Sequence, residues 1–382
     1  MERPEFKSLR RAYGFDEVSI VPGDVTINPE QTNTELTIGE HVLKIPVMAA
    51  ALDALSSPKT AILMSQLGGV AVLNLEGLQT RYEKPEDVLD EIAAAAPGKE
   101  ATAVLQRVYN TPIQDKFVAQ RVKEIKRTGA LCAVSMTPAM TKRLAPVAVE
   151  AGADIVVVAS TVTTARHVSK SVKGLVLQDL IKQLKVPVMA GNTVSFSTAL
   201  ELMETGISGL LVGVGPGAIC TTREVIGVGV PQVTATLDCA AAREEYFKRT
   251  GRYVPIITDG GIRTGGDLCK SFASGADGVM LGSELAGADE APGQGYSWGM
   301  ASPHMDLPRG TRIKVKRKGP LKKVLFGPST TSDGTENYVG ALKTCMGYTG
   351  SNTIREMQQC EVVIAPAIRT EGKYLQMTQN VN

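Results

Sequence analysis

A glycine-rich segment at 213–223, with the sequence GVGPGAICTTR, carries the residues best suited to covalent chemistry. It presents one thiol, at Cys220, and a hydroxyl two residues later, at Thr222. A thiolate in an exposed loop can attack an electron-poor carbon of a heteroaromatic ring and form a covalent adduct. The backbone carbonyl groups of Gly215, Gly217 and Cys220 can also hold a monovalent cation such as potassium. We therefore predict that Cys220 is a catalytic nucleophile.

A second group of turns is suited to binding a phosphorylated sugar. Two successive apolar runs end in glycine-rich turns: Asp259-Gly260-Gly261 and Gly282-Ser283. Glycines let backbone N–H groups approach phosphate oxygens without a Cβ in the way, and Ser283 adds a hydroxyl donor. A helix beginning after Thr264 would point its positive N-terminus toward the same place, and Asp259 can accept hydrogen bonds from ribose hydroxyls. The simpler alternative is that these glycines only form tight turns.

The elements that must position these residues are short apolar runs that alternate with helical stretches. Each run is almost continuously apolar, as is typical of parallel strands covered on both faces. Eight such units in one chain predict an α/β protein with a closed (β/α)8 TIM barrel rather than an open sheet, with its catalytic groups at the C-terminal ends of the strands. The eight runs are 46–50, 69–73, 131–135, 154–158, 187–191, 209–213, 255–259 and 278–282.

Two irregular regions interrupt this pattern within what we predict to be a single barrel domain over 1–382. An insertion at about 74–130 is too long for one βα loop and contains the helical pattern DKFVAQRVKEIKR. A C-terminal loop or flap region at about 284–337 is rich in glycine and proline and contains RIKVKRKGPLKK at 312–323. The alternation in 312–316 predicts a half-exposed strand of a solvated hairpin. The alternative is contact with a substrate or cofactor phosphate.

Composition excludes several classes of protein. The 382 residues include 41 basic and 39 acidic side chains, and only 4% are aromatic, which argues against a nucleic-acid-binding surface. No apolar run approaches the ~18 residues that span a bilayer, and the charged N-terminus lacks a signal sequence. Six separate cysteines, no CxxC pair and three histidines argue against a zinc site or a disulfide framework. We therefore expect a cytoplasmic protein.

Three segments together identify a family. GVGPGAICTTREVIGVGVPQ, PIITDGGIRTGGD and VMLGS closely resemble the motifs of the IMP dehydrogenase/GMP reductase family. The resemblance extends over essentially the whole chain, from YGFDEVSIVPG to the last helix. Within the family, the chain is most similar to a short bacterial branch that lacks CBS domains and whose members are assigned as GMP reductases. LPRGTR, NYVGALKT and EVVIAP have counterparts in that branch.

The resemblance implies a role for each matching residue. Cys220 matches the nucleophile that attacks purine C2, and Thr222 matches the threonine that helps protonate the leaving ammonia or activate water. Asp259 matches the ribose-binding aspartate. The remaining substrate-binding positions are Gly260, then Gly261, Gly282 and Ser283 at the phosphate, Gly299 and Met300 along the purine, and Asn192 at the floor of the site. The resemblance also implies NADPH as cofactor, GMP and IMP as partners, and a homotetramer or higher homo-oligomer.

Departures from the family pattern bear on the reaction. IMP dehydrogenases carry CBS domains after the second strand and an Arg-Tyr pair in a mobile flap, and neither is present here. This favours the reductase direction, in which GMP and NADPH give IMP and ammonia. Arg309 aligns with a glutamate of GMP reductases, Ala159 with a cofactor-facing aspartate of the dehydrogenases, and Ala218 with a phosphate-binding serine. The group that protonates the departing amine is therefore not assigned by the resemblance.

Two other functions remain as alternatives. One is an IMP dehydrogenase without CBS domains, and the other is a purine-nucleotide-binding regulatory barrel that no longer turns over. Asp289 and Glu290 are further candidates for contact with the reaction, and the basic residues at 316–318 are candidates for contact with a cofactor 2′-phosphate.

Overall fold

The computed structural model describes residues 9–166, 175–299 and 312–365. The strands, numbered β1 to β14 in chain order, are Val18–Ile20, Leu36–Ile38, His41–Leu43, Val47–Ala49, Val70–Asn74, Ala133–Met136, Ile155–Ala159, Val188–Thr193, Gly209–Val212, Ile256–Asp259, Gly278–Leu281, Tyr296–Trp298, Arg312–Lys314 and Val362–Ile364. The helices, numbered α1 to α14, are Pro58–Gln66, Pro85–Ala94, Lys99–Tyr109, Asp115–Lys126, Pro138–Glu150, Leu177–Leu184, Phe196–Glu204, Thr222–Ile226, Gln232–Thr250, Gly265–Ala273, Ser283–Ala286, Leu321–Phe326, Tyr338–Tyr348 and Ile354–Met357.

Eight of these strands form a closed parallel barrel, in the order β10-β11-β4-β5-β6-β7-β8-β9. Each of the eight predicted apolar runs overlaps one barrel strand, so the predicted (β/α)8 TIM barrel is confirmed. The strands are apolar on both faces because each face is buried. In β5, for example, Val70 and Val72 point into the barrel, while Ala71 and Leu73 pack under the surrounding helices.

Glycines end several of the outer helices and return the chain to the barrel. Gly152, Gly206 and Gly275 have φ angles of 109°, 97° and 106°, which are unfavourable for residues with a Cβ. The residue after Gly152 and the residue after Gly275 each donate a backbone hydrogen bond to the last turn of the preceding helix. Ala153 N donates to Ala148 O at 2.9 Å, and Ala276 N donates to Ser271 O at 3.1 Å. These are the C-terminal caps that lead directly into β7, β9 and β11.

The long segment between β5 and β6 contains three helices. Helix α4 packs against α1 and α5 as one of the outer helices of the barrel. Helices α2 and α3 instead form a small apolar cluster with β12, the first strand of the hairpin β12–β13, and this cluster includes Trp298, which is 1% exposed. In this hairpin Trp298 pairs with Arg312, and the strand at Arg312–Lys314 is half-exposed as predicted.

The opposite end of the barrel is closed by the hairpin β2–β3. Leu36, Ile38 and Leu43 of this hairpin join the inward-facing side chains of the barrel in one cluster. Among the residues that the structure describes, no helix has both the length and the apolar character needed to cross a membrane.

Candidate active site

The C-terminal ends of the barrel strands surround a cavity of about 620 Å³. Residues in or after all eight strands line it, together with Gly299 just after β12. A volume of this size is ordinary for a small-molecule site. Nearly all of the predicted site residues line this cavity: Cys220, Thr222, Asp259, Gly260, Gly261, Gly282, Ser283, Gly299, Asn192, Gly215 and Gly217. Met300 and Arg309 lie outside the described residues.

Cys220 lies in the loop between β9 and α8. Its Sγ donates to Thr222 Oγ1 at 3.3 Å, and the backbone N–H of Cys220 donates to Gly217 O at 3.1 Å. The thiol is half-buried, whereas Thr222 is 6% exposed. The loop therefore holds a thiol and a hydroxyl in contact at the wall of the cavity, where a nucleophile and a proton-relay group can both face a bound ligand.

The cysteine loop packs closely against the turn that follows β10. Gly213 has a φ of 151°, and a Cβ at this position would lie 2.1 Å from Asp259 O. A Cβ on Gly261 would lie 3.0 Å from Pro216 Cβ. Glycine is therefore required for the two chain segments to approach each other, and their approach places Cys220 and Asp259 on one wall of the cavity.

Asp259, at the end of β10, is held by a side chain from two strands away in the barrel. Asn192 in β8 donates its Nδ2 to Asp259 Oδ2 at 2.8 Å. Burial raises the pKa of the Asp259 carboxyl, and the hydrogen bond from Asn192 lowers it in part. Among the described residues, no donor reaches the other carboxylate oxygen, and Asp259 is half-buried at the cavity wall. Ligand donors such as ribose hydroxyls would therefore find a free acceptor there.

The predicted phosphate turns lie side by side at the cavity wall. Ser283 opens the short helix α11, and α10 begins after Thr264, whose Oγ1 accepts from Asp267 N at 3.2 Å. Arg263 is the one basic side chain among the described residues that lines the cavity, and it is half-exposed and bound by Asp16 and Asp267. The site therefore offers backbone N–H groups and hydroxyls more than positive charge.

The opposite wall of the cavity contains polar residues that the motifs did not identify. They are Asn74, Glu76, Ser135, Thr137, Ser160 and Thr161, at the ends of β5, β6 and β7. Asn74 Oδ1 accepts from Glu76 N at 2.9 Å, but Asn74 Nδ2 is buried without a partner. The only signal in the sequence was their position directly after apolar runs.

Several further candidates do not line the cavity. Glu290 accepts from Leu321 N at 2.8 Å at the start of α12, and Asp289 lies 3.8 Å from Arg317. Lys316 pairs with Asp333 at 3.4 Å. The described residues contain no cluster of three or more His, Cys, Asp or Glu side chains able to hold a metal ion.

The barrel and its cavity, with the cysteine loop beside the half-buried Asp259, are the arrangement of a (β/α)8 enzyme that acts on a small ligand. Comparison with known proteins defines it further. The sequence-family model described as "IMP dehydrogenase / GMP reductase domain" matches residues 12–378 of the chain. The chain therefore belongs to the IMP dehydrogenase/GMP reductase family and is an oxidoreductase of that family.

Individual relatives match over nearly their full length. An uncharacterized oxidoreductase of Mycobacterium tuberculosis (strain ATCC 25618 / H37Rv) is 39% identical, over 94% of this chain and 98% of its own. The inosine-5'-monophosphate dehydrogenase of Cryptosporidium parvum is 29% identical, over 92% of this chain and 91% of its own. The crystal structure of an IMP dehydrogenase/GMP reductase-like protein from Corynebacterium glutamicum has a TM-score of 0.89 and 34% identity, covering 96% of this chain and 97% of its own.

IMP dehydrogenases differ in length, and this bears on the absence of CBS domains between β5 and β6 of this chain. The inosine-5'-monophosphate dehydrogenase of Methanocaldococcus jannaschii aligns over 487 positions, which exceeds the 382 residues of this chain by more than a hundred. The Cryptosporidium parvum dehydrogenase aligns over only 397 positions while 91% of it is covered. A protein named for the dehydrogenase reaction thus has nearly the same compact length. The short interval between β5 and β6 therefore does not distinguish the two reactions.

Proposed function

We propose that the protein is an NADPH-dependent GMP reductase that converts GMP to IMP and ammonia. The observation that carries the proposal is the contact of 3.3 Å between Cys220 Sγ and Thr222 Oγ1 at the wall of the cavity. The family of the chain is named for reactions on IMP and GMP, whose purine C2 is the electron-poor carbon that a thiolate attacks.

The protein groups account for the bonds that change. Cys220 Sγ adds to C2 of GMP, and the bond from C2 to the exocyclic amine breaks as the amine takes up a proton and leaves as ammonia. A thioimidate between Cys220 and the purine remains. Bound NADPH would supply the hydride to C2. The C2–Sγ bond then breaks, which releases IMP and leaves a Cys220 thiolate that takes up a proton from water. Thr222 Oγ1 accepts a hydrogen bond from the Cys220 thiol, so its hydroxyl is placed to relay the thiol proton to the departing amine as the C2–Sγ bond forms.

Binding groups lie on the same wall. Asp259, held by Asn192, accepts hydrogen bonds from the ribose hydroxyls, and the turns at Gly260, Gly261, Gly282 and Ser283 receive the phosphate. The unpartnered Nδ2 of Asn74 suits a carbonyl oxygen such as that of a nicotinamide carboxamide on the opposite wall. A potassium ion at the carbonyls of Gly215, Gly217 and Cys220, and assembly into tetramers, stay predictions.

The reductase direction rests on the sequence between Met300 and Leu307. This interval contains no Arg-Tyr pair of the kind that activates water in IMP dehydrogenases. Without activated water, hydride delivery is the available way to resolve the thioimidate. The choice of NADPH over NADH follows from this assignment.

A second candidate is an IMP dehydrogenase, which uses IMP, NAD and water to make XMP. The compact length of the Cryptosporidium parvum dehydrogenase is compatible with this candidate. Arg309 also stands where GMP reductases are expected to have a glutamate. The two reactions share the attack by Cys220 and differ in what then reaches C2.

A paired assay separates the candidates. Purified protein is mixed with GMP and NADPH in one reaction and with IMP and NAD in another, and reduced nicotinamide, ammonia, IMP and XMP are measured in both. Loss of NADPH with equal amounts of ammonia and IMP is the expected result. Formation of NADH and XMP would establish the dehydrogenase. Binding of purine nucleotides without turnover in either reaction would support the regulatory barrel.

A further inference from the structure

A buried chain of hydrogen bonds links the mouth of the barrel to the inserted helices. Trp298 Nε1 donates to Tyr109 Oη at 2.9 Å, and Tyr109 Oη donates to Asp53 Oδ2 at 2.6 Å. Asp53 Oδ1 accepts from Leu78 N at 3.0 Å. The contacts join β12, α3 and the loop after β4, which are distant in sequence.

The surroundings of Asp53 are built to accommodate its carboxylate. Asp53 is 1% exposed, and a Cβ on Gly77 would lie 2.2 Å from Asp53 Oδ1, so the chain passes directly over the carboxylate. The guanidinium of Arg81 lies 5.9 Å from the centre of the Tyr109 ring and provides the nearby positive charge. A buried carboxylate needs such partners, because burial without them is unfavourable.

The chain of hydrogen bonds ends one residue before the cavity. Gly299 follows Trp298 and lines the cavity, and a Cβ on Gly299 would lie 3.5 Å from Ile219 Cδ1. Ile219 directly precedes Cys220. The position of Trp298 therefore determines where the backbone at Gly299 meets the cysteine loop.

The other strand of the hairpin is held by the same insertion. Arg312, which pairs with Trp298, donates to Ile92 O, Ala93 O and Ala95 O at the C-terminal end of α2. Its guanidinium also stacks 4.0 Å from the centre of the Tyr296 ring. Both strands of the hairpin are thus attached to helices α2 and α3 rather than to the barrel helices alone.

We propose that Tyr109 and Asp53 are positioning residues that act through Trp298 to hold Gly299 against the purine nucleotide in the cavity. This rests on the proposed function, because it takes a purine mononucleotide as the ligand. The insertion between β5 and β6 is accordingly part of the substrate-binding apparatus, although none of helix α2 or α3 lines the cavity among the described residues.

The test compares Tyr109→Phe with Tyr82→Phe. Both remove one hydroxyl from the same region, but Tyr82 Oη bonds to Val108 O and Thr111 Oγ1 and not to Trp298. Binding of GMP and of IMP is measured by calorimetry. Tyr109→Phe should weaken binding by about three- to tenfold, as expected for loss of one hydrogen bond, while Tyr82→Phe should bind like the wild type. KM for the nicotinamide cofactor should be unchanged by either substitution.

Trp298 provides a readout that is independent of activity, because it is the one tryptophan of the chain. Tyr109→Phe removes the acceptor of its indole N–H and should shift its emission to shorter wavelength, and Tyr82→Phe should not. In a double-mutant cycle, Tyr109→Phe should weaken binding no further once Trp298→Phe is present.

Three results would overturn the proposal. Wild-type affinity in a folded Tyr109→Phe variant would remove the positioning role, and so would equal losses in Tyr109→Phe and Tyr82→Phe. In both cases the proposed function would stand if the wild type binds GMP or IMP. Failure of the wild type to bind either nucleotide would overturn the proposed function and the positioning role together.

Discussion

At the scale of single residues, the position of Cys220 sets it apart from the other five thiols. Cys220 lines the cavity beside Thr222, whereas Cys132, Cys239 and Cys269 are buried in the core. Burial raises the pKa of Cys132 to about 12 and that of the half-buried Cys360 to about 11. These two thiols are thereby kept protonated at neutral pH, which makes them poor nucleophiles.

We predict that Cys220→Ala abolishes turnover and leaves the affinity for purine nucleotides nearly unchanged. Loss of a catalytic nucleophile should lower kcat by about three orders of magnitude or more, because no other group can form the bond to C2. Steady-state kinetics and calorimetry measure the two effects. Cys360→Ala, the same chemical change outside the cavity, should keep wild-type kcat. Substantial activity in Cys220→Ala would contradict the covalent mechanism.

Asp53 predicts a pH dependence of stability. Burial raises its pKa to about 6, and hydrogen bonds from Tyr109 and Leu78 lower it in part. Because the folded protein binds this proton more tightly than the unfolded chain, the stabilising contribution is complete below about pH 4 and is lost as the pH rises through about 6. The shift corresponds to about 3 kcal/mol.

The Asp53→Asn variant has no carboxyl at this position, so its free energy of unfolding should lack this pH-dependent contribution. The free energy of unfolding of the wild type, relative to Asp53→Asn, should therefore rise by up to about 3 kcal/mol as the pH falls from about 7 to about 4. Urea unfolding at a series of pH values measures the difference. A difference that stays constant over this range would show that Asp53 has an ordinary pKa.

The sequence identifies some residues of the candidate site and gives no sign of others. The placement of Cys220 and Asp259 at the cavity could be predicted because both lie where apolar runs lead into glycine-rich turns that match family motifs, and their chemical roles stay predictions. Asn74 and Glu76 could not, since a polar residue after a strand is common and these belong to no glycine motif. Nothing local marks the contact of Tyr109 with Trp298, because the two residues are 189 positions apart and meet only in the folded chain.

At the scale of elements, the cysteine loop depends on one close approach of two chain segments. The loop after β9 and the turn after β10 meet at Gly213, where a Cβ would clash with Asp259 O. Gly217 lies in the same loop, but a Cβ there would meet only Cys220 Cβ at 3.8 Å, an ordinary contact. The two glycines therefore have different structural roles despite their similar surroundings in the sequence.

We predict that Gly213→Ala lowers the free energy of unfolding by about 2–4 kcal/mol, because it combines a strained φ with a steric clash. Gly217→Ala should change the free energy of unfolding by no more than about 0.5 kcal/mol. Urea unfolding of both variants checks the difference. Equal stability of the two variants would mean that the cysteine loop and the turn at Asp259 do not approach as described.

The barrel strands could be predicted because each is a continuous apolar run buried on both faces. The short pairs β1–β14, β2–β3 and β12–β13 could not all be predicted, since each strand has only three residues and owes its structure to its partner. The hairpin strand at Arg312–Lys314 was the exception, because its alternation of charged and apolar residues is visible in the sequence.

At the scale of the whole molecule, one end of the barrel carries the cavity and the other carries a buried charge cluster. Arg243 in α9 is 2% exposed and donates to Gly275 O and to Asp277 Oδ2, both at 2.7 Å. Asp277 Oδ2 also accepts from Ile256 N at the start of β10. The cluster therefore ties an outer helix to the N-terminal ends of two barrel strands, away from the cavity.

Arg243→Ala should lower the free energy of unfolding by about 3–5 kcal/mol, because it leaves part of a buried ion pair without its partner. At temperatures where the variant is folded, its KM and kcat should equal those of the wild type. Arg249→Ala, on the same helix, removes a half-exposed ion pair with Glu204 and should cost no more than about 1 kcal/mol. Thermal and urea unfolding, together with kinetics, distinguish these outcomes. A large change in KM for Arg243→Ala would contradict the separation of the two ends.

The central claim is that a hydride reaches C2 of a purine held by Cys220. The most direct measurement uses GMP together with NADPH in which both hydrogens on C4 of the nicotinamide ring are replaced by deuterium. The product is then analysed by mass spectrometry. The account predicts IMP with a single deuterium at C2 from the wild type, and no IMP from Cys220→Ala. IMP without deuterium, or XMP formed from IMP and NAD by the same preparation while GMP is left unchanged, would contradict it.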